Sequence, residues 1–239
     1  MSVATLTLLL AATVGASASL RPALLPRSSG SLRLRLRGGA DEDNTDDMAP
    51  LTDDEITEKL NAVPAFVIMG AGDGFVALEL RDEGRAVCFF TDVNEAKAVF
   101  NMTQTSHPEA NLRLVCTGLG NAMKLVNGDD RDEAAEEAFA SFDGKLKLQA
   151  PHQLVEAVRP KLEKMMEKAE IDPGNWLVPI FICEELQGPG FLPVFLDPGE
   201  IKTMWTKAGR KEEDLGNKFV MMDIRMLMKE MKQSNMMPW

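Results

Sequence analysis

"FLDPGEIKTMWTKA", Phe195–Ala208, reads as the end of a buried strand, a helix cap and an amphipathic helix. Asp197 suits the N-cap and Pro198 the first helical position. Glu200 falls at N3, where a carboxylate closes a capping box. Ile201, Met204, Trp205 and Ala208 then recur at i, i+3, i+4 and i+7, one apolar stripe. The same grammar stands 105 positions earlier in "FTDVNEAKAVFNMT", Phe90–Thr103. Asp92 answers Asp197, Glu95 answers Glu200, Lys97 answers Lys202 and Phe100 answers Trp205. Ala96, Val99, Phe100 and Thr103 take the stripe positions.

The echo extends outward. Val115 and Leu119 match Val220 and Ile224 at that offset, and Val63–Phe66 "VPAF" is matched by Val178–Phe181 "VPIF" at a slightly longer one. These matches predict an α/β (α+β) fold of two pseudo-symmetric halves, each a small sheet with capped amphipathic helices, related by internal duplication. Trp205 and Phe100 are both expected in the core.

Taken in order, residues 1–18 hold an apolar run ending at Ala16-Ser17-Ala18, which predicts a signal peptide. Residues 19–39 carry Arg21, Arg27, Arg33, Arg35 and Arg37 with no acid, the composition of a transit peptide. Such a tandem resembles the bipartite presequences of algae with complex plastids, so the first 39 residues are expected to be removed and to direct plastid entry. Residues 40–50 are acidic and read as a disordered linker. Residues 51–172 are expected to form the first half with a helical insertion over 129–142, and residues 173–239 the second half. Thr52 with Glu55 predicts a capped helix, and Leu51 with Ile56 a hydrophobic staple. Strands are expected over 64–69, 75–80, 86–90, 112–117, 145–148, 177–183, 191–196 and 219–222. Short helices follow from about Asn121 to Val126, over Ala150–Val158 with a kink or restart at Pro160, and at the end of the chain to about Gln233. In the last helix Ile224, Leu227, Met228 and Met231 make a stripe that Met226 lies outside.

At 239 residues the chain can bury a sizeable core. Without residues 1–39, 21 basic residues face 37 acidic ones, a balance of −16 that argues against nucleic acid as a partner. Cys88, Cys116 and Cys183 sit in expected strands without a CxxC pair and read as reduced thiols. With two histidines the chain offers few zinc ligands. His107 and His152 read as surface residues, and "GAGDG" (Gly70–Gly74) as a hairpin turn. "GLG" (Gly118–Gly120) joins strand to helix, which leaves anion binding open. No catalytic constellation, metal site or cofactor is expected.

Several ordered segments carry a family resemblance: "EITEKLNAVPAFVI" (Glu55–Ile68), "AVCFFTDVNEAKAV" (Ala86–Val99), "LKLQAPHQLVEAV" (Leu146–Val158), "LVPIF" (Leu177–Phe181), "PVFLDPGEIKTMW" (Pro193–Trp205) and "FVMMDIRMLMKEM" (Phe219–Met231). In this order they resemble the 22-kDa subunit family of the chloroplast inner-envelope import translocon (TIC complex). The resemblance implies a soluble protein between plastid envelope membranes, in an algal complex plastid, at most peripheral to a membrane. It implies a non-enzymatic, chaperone-like escort whose partners are precursor proteins with transit peptides and import translocon subunits.

The 15 methionines suit varied apolar partners, and an acidic body suits basic transit peptides. Met226, Met236 and Met237, off the apolar stripe, are the expected client contacts, whereas most other methionines read as core filler. The alternative is a small-molecule or nucleotide-binding α/β protein of the plastid using Gly118–Gly120, and a third option is a structural subunit with no client of its own.

Overall fold

Asp92 and Asp197, the paired caps, both start helices after strands, and each fold unit is built around one of them. The structure, a computed structural model, describes residues 50–71, 74–80, 84–128, 144–188, 191–216 and 218–233. The presequence, most of the acidic linker, the insertion helix over 129–142, Met236 and Met237 lie outside them. Contacts divide the chain into two units: Val63–His152, and the segment ending at Ala62 together with Gln153 onward.

Among the described residues, the first unit is a five-stranded mixed sheet with two α-helices. Its strands are β1 (Pro64–Met69), β2 (Leu78–Leu80), β3 (Gly84–Phe90), β4 (Arg113–Gly118) and β5 (Lys145–Gln149). β1 lies between β3 and β4, antiparallel to both, and β5 runs parallel to β3. Gly70 N donates to the Gly74 carbonyl (2.9 Å), closing the expected glycine turn. The return strand is shorter than expected: Phe75 makes one bridge to Met69, and only Leu78–Leu80 continues, against β3.

Helix α2 (Val93–Ser106) starts where Asp92 Oδ1 accepts from Glu95 N at 2.7 Å. It packs on an apolar cluster containing Ile68, Leu78, Cys88, Phe90 and Leu112. Ala96 and Thr103 are buried on its inner face, but Phe100 is only half-buried at the flank of the cluster. The expectation of a core Phe100 is thus corrected: small Ala96 holds the closest approach to the sheet, and the larger ring sits beside it. Ala65, Val67 and Val87, which alternation directs to the opposite face, are buried as well. Helix α3 (Leu119–Asn127) packs on β1, β4 and β5 through Leu119, Ala122 and Met123.

In the second unit, β6 (Pro179–Ile182) lies between β7 (Val194–Phe195) and β8 (Val220–Asp223), antiparallel to both. Cys183 falls one residue past β6, and the strand expected over 191–196 reduces to β7 plus a bridge at Phe191. Helix α1 (Asp53–Leu60) has the complete Thr52–Glu55 capping box, and α6 (Ile224–Gln233) lies against it. Leu51 N donates to the Met231 carbonyl (3.0 Å), and Lys232 pairs with Asp53.

Helix α4 (His152–Lys168) runs through Pro160, correcting the expected restart. Proline forfeits the bond to the Glu156 carbonyl, yet Val155, Leu162 and Met166 are buried on both sides of it and hold the helix together. Helix α5 (Pro198–Lys207) buries Ile201 and Trp205 but leaves Ala208 exposed. Its cap differs in detail from the expected box: Asp197 Oδ1 accepts from Gly199 N at 2.8 Å, one residue earlier than N3.

The order strand, strand, capped helix, strand, helix thus recurs in both units. So does one hydrogen bond at the last strand-to-helix step: Leu119 N to Val63 O (2.8 Å) and Ile224 N to Val178 O (3.0 Å). The recurrence is one of topology. β2 and β5 have no counterparts among the described strands of the second unit, and Phe100 and Trp205 differ in burial.

The end of α4 carries local strain. Ile171 N donates to Met166 O (2.9 Å) and Glu170 N to Glu167 O (3.1 Å), a Schellman closure. Its left-handed position is filled by Glu170, with φ of 56°, where glycine is the usual occupant. Glu170→Gly is expected to leave stability unchanged or raise it by up to about 1 kcal/mol in urea unfolding; a loss would show that the Glu170 side chain is held by contacts that outweigh the strain.

Candidate functional site

Helix α4 and the chain that follows it bound a groove of about 560 Å³. Pro160, Glu163, Lys164 and Glu167 line it from one face of α4, at i, i+3, i+4 and i+7. Glu170, Ile171 and Pro173 line it from the return segment. The lining combines apolar side chains with three carboxylates against one ammonium. Glu163 also pairs with Arg159 outside the groove, at 3.3 Å. The carboxylates of Glu167 and Glu170 stand on exposed residues.

The return segment is fixed from behind by Arg225. Its guanidinium donates to the carbonyls of Asp172 (3.0 Å), Pro173 (3.0 Å) and Trp176 (2.9 Å), and lies 4.1 Å over the Trp176 ring. Asp223, fully buried, orients it: Asp223 Oδ1 accepts from Arg225 Nε at 2.7 Å, and Oδ2 from Val178 N at 3.0 Å. Lys229 adds a bond to the Ala169 carbonyl at 2.7 Å. The groove wall is therefore a preorganised surface. Sequence reading passed over it, although Glu163, Glu167 and Glu170 fall at i, i+4 and i+7 just before an Asp-Pro-Gly turn.

Of the expected client contacts, Met226 is described, and it is half-buried on α6 beside half-buried Met228. Met69, Met123, Met166, Met221 and Met231 are core residues, as the filler role for methionine requires. Among the described residues, Met102 (44 %) and Val220 (49 %) are the large apolar side chains that stand exposed.

Neither Glu95 nor Glu200 closes a box, and Glu95 has a distant partner instead. Glu95 Oε2 accepts from His152 N at 3.3 Å, so it serves the first turn of α4, 57 residues away. Burial pushes its carboxyl above the usual carboxylate range; Asp92 adds to the rise, and the His152 bond, His152 and Lys147 oppose it. Glu200 is raised in the same way, by burial and then by Asp197. A carboxyl raised in the folded state favours folding below its unfolded pKa, and that contribution is lost as pH rises through the folded value. Glu95→Gln is therefore expected to raise the melting temperature at pH 7 relative to the parent chain. The gain should vanish near pH 4, because Gln keeps an acceptor for His152 N and removes the charge. A gain independent of pH would contradict the linkage.

Chemistry elsewhere is sparse. Leu119 N, the middle donor of the "GLG" turn, is taken by Val63 O, and Leu119 and Gly120 are buried. Burial pushes the Cys116 thiol up, away from thiolate reactivity. Among the described residues, no three His, Cys, Asp or Glu side chains are grouped to hold a metal ion, and no helix is long and apolar enough to cross a membrane.

No protein-family model matches the chain, and no curated protein matches it. Among solved structures, the chain is similar to Tic22 from Anabaena, described as protein transport, at 13 % identity and a TM-score of 0.47. That match covers 78 % of this chain and 88 % of the other. It is also similar to Tic22 from Plasmodium falciparum, at 16 % identity and a TM-score of 0.49, covering 77 % of this chain and 91 % of the other.

Proposed function

We propose that this protein carries precursor polypeptides during plastid protein import, holding their basic, apolar-rich targeting segments without chemical turnover. The observation that carries the proposal is the groove on α4: an apolar floor from Pro160, Ile171 and Pro173 with carboxylates at Glu163, Glu167 and Glu170. A segment mixing arginine or lysine with leucine can bury its apolar side chains on the floor while its cations meet the acids. An acidic body also speeds the approach of such a segment at low salt. The order of motifs shared with the import-translocon family supports the same assignment, as does the bipartite character of residues 1–39. In this function the chain works in the intermembrane space of a complex plastid envelope and hands clients between translocon subunits. Met226, Met236 and Met237 supply adaptable apolar contacts beyond the groove.

Fluorescence anisotropy of a labelled transit peptide, titrated with the full chain, tests this. Saturable binding that weakens with salt is expected, reduced at least tenfold by Glu167→Lys with Glu170→Lys. Absence of peptide binding, together with calorimetric binding of a nucleotide, would replace the carrier function with the small-molecule alternative.

A further inference from the structure

We propose that the outer edge of β4 takes up an extended client segment by strand addition, a contact that rests on the carrier function proposed above and adds a second grip to it. β4 pairs with β1 residue for residue, from Arg113↔Met69 to Gly118↔Pro64. The bond from Leu119 N to Val63 O fixes which pairs exchange hydrogen bonds. In an antiparallel ladder these alternate, so Thr117, Val115 and Arg113 bond inward to Ala65, Val67 and Met69. The N–H and C=O of Leu114 and Cys116 then point away from β1. The same alternation turns the Ile68 carbonyl to the far side of β1, where it accepts from Val76 N at 3.1 Å.

Among the described residues, β4 pairs with β1 alone. Its outer edge is a strip of roughly 20 Å with outward groups repeating every ~6.8 Å. Leu114, Val115 and Cys116 are all half-buried. Exposed edges are usually blunted by proline, a bulge or charges. β4 has neither proline nor bulge, and its one charge, Arg113, stands at its start. Among the described residues β8 likewise pairs with β6 alone; by the same alternation it would present Met221 and Asp223, whose side chains are both buried.

The occupant this edge selects is an extended polypeptide. Alternating donors and acceptors at strand spacing are matched by a β backbone, and main-chain pairing is indifferent to side-chain identity. That indifference suits a carrier whose clients differ in sequence. A second rigid copy meeting this edge along six residues would bury far less than the ~1,200 Å² of a stable interface.

The test uses the full chain and two labelled synthetic peptides of one sequence, alternating Val and Thr between terminal arginines. One has a normal backbone and the other is N-methylated at alternate amides. The normal peptide is expected to bind at least tenfold more tightly and to slow hydrogen exchange at the Leu114 and Cys116 amides. Cys116→Pro removes an outward N–H without touching the β1 ladder, so it should abolish that preference, whereas Cys116→Thr should keep it. Should Cys116→Pro fail to fold, the N-methylated probe still decides. Equal binding of the two peptides, with protection confined to Glu163–Pro173, would overturn strand addition and leave the carrier function standing. No binding of either would remove both. A concentration-dependent dimer that Cys116→Pro dissolves would put a second copy on the edge and overturn the client assignment.

Discussion

Trp205→Ala is expected to cost about 3–5 kcal/mol in equilibrium unfolding, the range for removing a large aromatic from a packed core. Trp205 is 1 % exposed and is the largest fully buried side chain described. Its indole also organises its surroundings. Nε1 donates to the Lys211 carbonyl at 2.7 Å, tying the end of α5 to the following loop. Arg210 lies 4.4 Å and Lys218 5.2 Å from the ring centre, and both reach Glu185, at 2.7 and 3.0 Å. The Lys218 hydrogen bond, followed by the charges of Lys218 and Arg210, draws the Glu185 carboxyl below its usual range. Truncation would leave a cavity, an unanswered carbonyl and two cations without their ring. Trp205→Phe keeps the ring face and loses the Nε1 bond, so it should cost markedly less than Trp205→Ala. A loss under about 1 kcal/mol for Trp205→Ala would mean the second unit does not pack on this residue.

Asp223→Ala is expected to cost a comparable 3–5 kcal/mol, the usual penalty for breaking a buried ion pair from one side. The Asp223 carboxylate is fully buried and accepts from Val178 N, Arg225 N and Arg225 Nε. Without it the Val178 and Arg225 backbone N–H groups lose their acceptor and the Arg225 guanidinium loses its counter-charge. Asp223→Asn retains one acceptor oxygen and should fall between the two. Because Arg225 also holds the carbonyls of Asp172 and Pro173, Asp223→Ala should loosen the groove wall. Faster hydrogen exchange over residues 170–176 would report this. A fall in stability with unchanged exchange there would separate the ion pair from the groove.

The local grammar of the fold was legible in the sequence because caps and turns are decided by neighbouring residues. Thr52 with Glu55, Asp92 and Asp197 needed only positions within one turn. What failed to show in the sequence depends on distant partners. Glu95 was read as closing its own box, yet it answers His152, brought near by the parallel pairing of β3 and β5. Pro160 pointed to a kink or restart; the helix does not restart, because the buried residues on both sides outweigh one lost hydrogen bond. Phe100 and Trp205 share a register and differ in depth, since periodicity fixes a face and not a distance from the sheet. The groove was hidden for a similar reason. Its acids form a visible stripe, but its wall exists because Arg225 reaches back across about fifty residues. That β4 pairs with β1 alone among the described residues, and which of its groups face outward, cannot be read from "RLVCTG", because both depend on distant strands.

Whether the body of this chain holds targeting segments is tested most directly by hydrogen–deuterium exchange of the full chain with and without a transit peptide. Slowed exchange is expected over Glu163–Pro173, and at the Leu114 and Cys116 amides where strand addition contributes. Gly118–Asn127 should be unchanged by nucleotide. No peptide-induced protection anywhere, or protection that nucleotide alone produces at Gly118–Asn127, would contradict the carrier function.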